Sequence, residues 1–453
     1  MKSLKKIIVE GAFFSTVSSF GMRGLSLINY FVIFRYVMLA EYGRFILVSS
    51  LTGPALTLCF LGIDRIFVSA IARARGAGEI GKARGLIKQY AAAVFFMLCM
   101  TAGGAVFLKD VLQARYGVEW DRTIFSLLIF LFSQLIFNLV QLILEGFEEF
   151  NKLALLQFIE AMVRSAFLIA FAQALGLYTL LLIGAAAKLA AFLLGAFFLA
   201  RCVYPVLRGS VSARGMLWSV IASQGKWDMA RNIVDDVAGS IGVWLIKIFV
   251  STPAVALYSF AQNVYSIIAD IFPVNSILFP IVSRLVATEK KKVYRLIPKI
   301  QRYALLFYVV IYALTLVFLP FVVNAFFPQY RGVVPIVALS LLRLFIDVYR
   351  IGQSALIYAF GEQRFMLAIF PYMFVTHILL DTVSAYLGGV PGMLASWNFR
   401  GVIGQWIIHF HLKKKHHIPS MHLRDLFMID EYDRVFWRLI ALRVKQLYTG
   451  LRL

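Results

Sequence analysis

Trp218–Val250 reads WSVIASQGKWDMARNIVDDVAGSIGVWLIKIFV. The stretch is long and apolar enough to cross a bilayer, yet it carries Lys226, Asp228, Arg231, Asp235, Asp236 and Lys247. A charge placed centrally in a spanning helix costs roughly 2.5–3.5 kcal/mol on insertion scales, so a segment with this many cannot present them to lipid. The charges must face one another or a polar cavity, and the flanking segments then become its walls.

The composition agrees. The chain is 61% hydrophobic and 15% charged, with a mean hydropathy of +0.81, against about 45–50% apolar and about 25% charged in soluble domains. Apolar blocks recur from end to end, each long enough for a hydrocarbon core about 30 Å thick. Spanning helices are expected at 12–38, 46–68, 86–108, 123–144, 153–175, 178–200, 216–250, 254–283, 302–323, 333–360, 365–387 and 390–411. Helices satisfy every backbone group in lipid without a partner strand, so the expected fold is all-α and polytopic. About twelve helices would form an N-terminal lobe (1–210) and a C-terminal lobe (211–411) of six each around a central cationic cavity, followed by a tail (412–453).

Lys and Arg set the expected orientation. One side receives Lys2, Lys5, Lys6, Arg73, Arg75, Lys82, Arg84, Lys88, Arg201, Arg208, Arg214, Arg284, Lys290, Lys291, Lys292, Arg295, Lys299, Lys413, Lys414 and Lys415. The other receives Arg44, Lys109, Arg115, Arg122 and Arg331. By the positive-inside rule both termini are cytoplasmic. The net charge of +22 then reflects topology and contact with anionic lipids. Nucleic-acid binding is excluded as its cause, because the basic residues alternate with spans. The first apolar stretch is too long for a signal peptide and reads as an uncleaved helix. Cys59, Cys99 and Cys202 form neither a disulfide framework nor a metal spacing.

Charges recur deep in other spans. Arg23 lies near the middle of the first helix, and Arg35 toward its outer end, where it can act as an interface anchor. Glu160 and Arg164 share a face of helix five. Lys188 stands amid Ala and Leu in helix six and needs a partner on another helix, neutrality or water. In helix seven Asp228, Arg231 and Asp235 make a stripe, with Gly225, Gly239 and Gly242 permitting bends or close approach. Asp270 precedes Pro273, a kink site. Arg343, Asp347 and Arg350 form a second stripe, and His377–Asp381 reads as a packed pair ahead of a proton relay. Arg400 lies mid-span in helix twelve. His409, His411, His416 and His417 lack acidic neighbours in sequence, so they read as a basic membrane-edge segment rather than a metal site. Val435, Phe436, Leu439, Ile440 and Leu447 recur at helical spacing between basic residues, as in a surface-lying amphipathic helix.

Several of these features resemble a known family. They are the arginine near the end of helix one, the Tyr42-Gly43-Arg44-Phe45 turn, the Leu61-Gly62 segment and the basic loop after it. Pro253 to Arg284 and Phe326 to Gly361 are similar to further segments of the same family. It is the polysaccharide-transporter branch of the multidrug/oligosaccharidyl-lipid/polysaccharide (MOP) exporter superfamily, the Wzx-type flippases. The resemblance implies a non-enzymatic carrier in the plasma (inner) membrane that exchanges its cargo for protons or sodium. It also implies that the carrier works with other polysaccharide-assembly proteins. Six helices per half keep the same orientation, so the halves are expected as parallel repeats.

The deep charges bear on the cargo. Arg23, Arg164, Lys188, Lys226, Arg231, Lys247, Arg343, Arg350 and Arg400 outnumber Glu160, Asp228, Asp235, Asp236, Asp270, Asp347 and Asp381. A surplus of this sign suits an anionic headgroup such as a diphosphate. A polyprenyl-diphosphate-linked oligosaccharide carries one. Arg23, Arg35, Lys188, Lys226, Arg231, Lys247, Arg343, Arg350 and Arg400 are the expected cargo-binding residues. Asp228, Asp235, Asp236, Asp270 and Asp347 are the expected ion-coupling residues, with no resident cofactor. An extruder of cationic drugs would need an acid-dominated cavity. A polymerase, ligase or glycosyltransferase would need a large polar loop or a catalytic arrangement, and a scaffold or scramblase would tolerate loss of the charge stripes.

Overall fold

The computed structural model describes residues 21–107, 109–110, 120–202, 216–222, 226–271, 282, 290–353, 356–357, 360 and 362–418. Among them no strand occurs. The helices are α1 (21–36), α2 (Leu39–Ser50), α3 (Thr52–Cys59), α4 (Asp64–Gly76), α5 (Ile80–Phe107), α6 (Trp120–Gly146) and α7 (Phe150–Ala170). They continue as α8 (Leu177–Cys202), α9 (Met216–Val220), α10 (Lys226–Phe249), α11 (Thr252–Ile271), α12 (Lys290–Phe326), α13 (Val333–Arg350) and α14 (Gln363–His416). Six helices among the described residues are long and apolar enough to cross a membrane, or up to seven if the bent pair Leu39–Cys59 and Asp64–Arg75 is one span. With Phe95, Phe96, Met100, Phe321 and Trp406 all exposed, these helices present apolar side chains outward, as a lipid-facing surface requires.

Two expected spans are broken within the described residues. Residues 46–68 are not one helix, because Leu61 and Gly62 both take left-handed backbone angles (φ 58 and 58). A left-handed leucine is unusual and is held here by its surroundings. The carbonyl of Gly62 accepts a hydrogen bond from Asn232 Nδ2 at 2.7 Å, and a Cβ at Gly62 would sit 3.0 Å from Met229 Cα. Of residues 216–250, the structure describes α9 with the helical turn after it and α10, and residues 223–225 lie outside the described residues. The expected span 333–360 stops at Arg350, and Gly352 turns with φ 83 against Ile297. By contrast 365–411 runs on as the 54 residues of α14, bent at Gly389 (φ 56, ψ −136). At 1.5 Å per residue a straight helix of that length would reach about 80 Å, far beyond one bilayer, so the Gly389 break separates two spans.

By compactness the chain forms two units. The first takes in the described residues of Met1–Ile267, Val317–Ser340 and Tyr372–Ser396, and the second those of Ile268–Leu316, Leu341–Pro371 and Trp397–Leu453. In the first unit α6 packs on α8, α8 on α7, and α10 on α3. Small residues allow this. A Cβ at Gly184 would lie 2.6 Å from the Phe130 ring, and one at Gly195 2.7 Å from Val140. With no hydrophobic drive between helices in lipid, such close backbone approach supplies the dispersion contact that holds them. Phe60, Phe67, Tyr90, Leu131 and Phe147 lie in one buried cluster of the first unit.

The segment Glu41-Tyr42-Gly43-Arg44-Phe45, expected as a turn, lies instead within the helix α2 and works as a packing joint in the first unit. Glu41 Oε2 accepts from the Leu177 amide at 3.3 Å, placing an anion at the start of α8 where the helix dipole favours it. Tyr42 is fully buried, and a Cβ at Gly43 would collide with the Thr252 main-chain carbonyl. Arg35 Nη1 donates to the Phe326 carbonyl at the end of α12 at 3.0 Å, so this arginine caps a helix.

In the second unit Glu362 is buried and gathers a lysine and two histidines. Lys415 approaches to 2.7 Å, His416 to 2.8 Å and His411 to 3.1 Å. The rings of Phe360 and Phe365 stack on His416 and His411. The expectation that these histidines lack an acidic partner is corrected by Glu362, which is distant in sequence. His417 ends α14 in a left-handed cap (φ 55). The tail beyond 418 lies outside the described residues.

Candidate functional site

The first unit holds a charged group inside its helix bundle. Glu160 and Arg164, one turn apart on α7, form an ion pair. Lys188 on α8 is buried, with its Nζ 3.3 Å from the same Glu160 Oε1 and 5.4 Å from the centroid of the Phe130 ring. Two cations thus share one carboxylate, and the ring face adds cation–π attraction to the second. The expected partner for Lys188 on another helix is Glu160. The group keeps a net positive charge within a low-dielectric bundle, where such charge is expensive unless it has a use.

Arg164 also lines a cavity of about 230 Å³. Its walls include Asn29 and Tyr30 from α1, Tyr42 and Phe45 from α2, Phe130 from α6 and Asn263 from α11. The volume matches the liquid share of roughly eight waters. Tyr30 donates to Asn263 Oδ1 at 3.2 Å, and Asn263 Nδ2 donates to the Tyr42 hydroxyl at 3.1 Å. Asn29 is 9% exposed, and its Oδ1 has no hydrogen-bond partner; the same holds for Arg164 Nε. Ser26, Tyr30 and Ile33 put this cavity on one face of α1. Arg23, three residues before Ser26, is half-buried and shares that face by helical spacing.

Elsewhere in the first unit, Asp236 of α10 accepts from the Thr57 hydroxyl on α3, and Ser240 donates to the Ser50 carbonyl at 2.8 Å. These bonds tie the charged helix to the broken span. Lys226 and Asp235 are exposed, and Lys247 is half-buried. The side chains of Asp228, Arg231 and Asp270 lie outside the described residues. His377 lies 3.0 Å from Asp381 Oδ2, and Ser396 donates to Asp381 Oδ1 at 2.6 Å. Asp381 is fully buried, so the packed pair is what forms.

In the second unit Arg343 pairs with Asp347 (3.3 Å) as their four-residue spacing implies. It also donates to the Trp397 carbonyl and lies over the Trp397 ring at 5.1 Å. Gly401 makes room for it, since a Cβ there would strike the guanidinium. Arg350 is exposed in the last turn of α13, and Arg400 is half-buried in α14. The structure therefore joins Lys188 with Arg164, and Arg343 with Asp347. It engages Arg35 as a cap and leaves Lys226 and Arg350 at the surface. Reading charges alone missed the uncharged cavity groups Asn29, Tyr30, Tyr42 and Asn263. It also missed Tyr90, buried and donating to Asp64 Oδ1 at 2.8 Å beside the helix break. Two asparagines within apolar spans were the available signal.

Comparison with known proteins agrees with this construction. The chain is similar in fold to a structure described as the Lipid II flippase MurJ in an inward closed conformation. The TM-score is 0.72 at 12% identity, covering 97% of this chain and 98% of that one. It is also similar to a multidrug resistance MATE family transporter of the MOP superfamily in an inward-facing conformation. There the TM-score is 0.66 at 14% identity, covering 88% and 96%. A Vibrio cholerae MATE transporter matches with a TM-score of 0.56 at 16% identity, covering 92% and 98%. A search of curated protein sequences finds no match. The family described as "Polysaccharide biosynthesis protein" matches residues 8–286, more than half of the chain. The protein is a multi-pass integral membrane protein with a fold like that of the MurJ and MATE structures, and it belongs to the polysaccharide biosynthesis protein family.

Proposed function

We propose that the chain is a flippase of the inner membrane. It would carry a polyprenyl-diphosphate-linked oligosaccharide from the cytoplasmic to the outer leaflet for surface polysaccharide assembly. The observation that carries this reading is the shared carboxylate of Glu160, which leaves Arg164 and Lys188 with a surplus positive charge beside the cavity. A carrier of cationic drugs would place an acidic surplus there. The membership of the chain in a polysaccharide biosynthesis family supports the saccharide half of the proposal.

In this reading the diphosphate engages arginine forks and lysine ammonium groups, with Arg23, Arg343 and Arg400 as the half-buried candidates. The chain alternates between two six-helix lobes divided near residue 210, and Asp235, Asp236 or Asp270 responds to a proton or sodium ion. Asp236, half-buried on α10, accepts from the Thr57 hydroxyl and so stands tied to α3.

The test is reconstitution. Liposomes containing the purified chain and a fluorescent polyprenyl-diphosphate disaccharide are treated with an impermeant quencher. Faster exposure of the labelled lipid than in protein-free liposomes, dependent on a proton or sodium gradient, is the expected result. No acceleration, with gradient-driven expulsion of a cationic dye instead, would overturn it in favour of drug export.

A further inference from the structure

We infer that the cavity between α1, α2, α6, α7, α8 and α11 in the first unit is a subsite for a single sugar ring of the cargo. The inference rests on the flippase reading for the word cargo and on the cavity's own chemistry for the rest. Two of the residues that line it each carry a buried polar atom without a hydrogen-bond partner, and the two atoms are of opposite kind. Arg164 Nε is a donor, and Asn29 Oδ1, on a side chain 9% exposed, is an acceptor. A buried polar atom left unmade is costly, so each demands a partner. A hydroxyl supplies both, since it donates and accepts. A fully ionised phosphate only accepts and leaves Asn29 Oδ1 unmet.

The walls fit the same class. Tyr30, Tyr42, Phe45 and Phe130 line it, and aromatic walls are what the C–H face of a pyranose packs against. Tyr30, Asn263 and Tyr42 form a hydrogen-bonded chain at 3.2 and 3.1 Å that fixes the polar edge before anything binds. Apolar walls with a few placed polar groups are the usual form of a small-molecule site. The volume of about 230 Å³ suits one sugar ring. This cavity reads the glycan, and the cationic surplus of Arg164 and Lys188 beside it is left for the adjoining diphosphate.

The experiment uses the full chain in detergent. Thermal unfolding is followed in the presence of glucose, galactose, mannose, N-acetylglucosamine or glucuronate, with inorganic pyrophosphate as the anion control. At least one monosaccharide should raise the midpoint in a saturable way. Asn29→Leu, close in size, should weaken that sugar's affinity by about tenfold, as one unmade buried hydrogen bond predicts. Tyr30→Phe, which keeps the ring, should weaken it less. Stabilisation by pyrophosphate alone would reassign the cavity to the headgroup. No stabilisation by any probe would make it a water site, and either result overturns the inference. Sugar binding is read without transport, so a binding chain that fails the liposome assay sinks the flippase reading and leaves the subsite standing. Transport without sugar binding does the reverse.

Discussion

Glu160→Gln removes the carboxylate that Arg164 and Lys188 share, and the two halves of the loss are unequal. The Arg164 side chain is 36% exposed, so its pair is screened and contributes about 1 kcal/mol or less. Lys188 is only 7% exposed. Removing the partner of a buried ion costs roughly 3–5 kcal/mol, because the remaining charge is left uncompensated. The single substitution should therefore cost about 3–5 kcal/mol, most of it from Lys188. Lys188→Met in the same background removes the stranded ammonium. It leaves a chain of similar length beside Phe130, where a thioether packs well. The double variant should recover at least half of the loss. The assay is the thermal midpoint of the detergent-purified chain, read as the monodisperse fraction surviving on size exclusion. The expected order is wild type, then the double variant, then Glu160→Gln. A double variant that melts at or below the single one would refute the assignment of Glu160 as the partner of Lys188, since independent sites add.

Gly43→Ala should reduce the folded yield sharply, because the Thr252 carbonyl is main chain and cannot swing away. Gly24→Ala, with nothing within 4 Å, is the neutral control. Asn232→Leu should lower stability by about 1–3 kcal/mol by leaving the Gly62 carbonyl unmet, as the same size-exclusion midpoint will report. Glu362 is held down to about 2, chiefly by the hydrogen bond from Lys415 and then by those from His416 and His411, against burial that raises it. Its folded value is thus below its unfolded one, so its stabilisation is complete above a pH of about 4.5 and is lost as pH falls toward 2. Melting curves at about pH 6 and pH 3 should show a larger drop for wild type than for Glu362→Gln.

Residues that interact along one helix were legible in the sequence. Glu160 with Arg164, Arg343 with Asp347, and His377 with Asp381 all stand four apart, and each pair forms. Partners that meet only through the fold were not. Nothing near Lys188 in sequence points to Glu160, nothing near His411 points to Glu362, and Ser396 reaches Asp381 only across the bend at Gly389. Hydropathy located the apolar blocks but not their breaks. The Leu61–Gly62 turn depends on Asn232 from another helix, a tertiary contact that no local pattern encodes. Charge counting also drew attention away from the cavity, whose recognition groups Asn29 and Asn263 are neutral.

The most direct measurement is the leaflet distribution of polyprenyl-linked saccharide in cells lacking this protein. The lipid is identified by mass and assigned to a leaflet by its accessibility to an added impermeant enzyme. Accumulation on the cytoplasmic leaflet is predicted, reversed by the wild-type chain but not by Arg23→Glu or Arg343→Glu. A normal lipid-linked pool combined with new sensitivity to cationic compounds would contradict the flippase and identify a drug exporter.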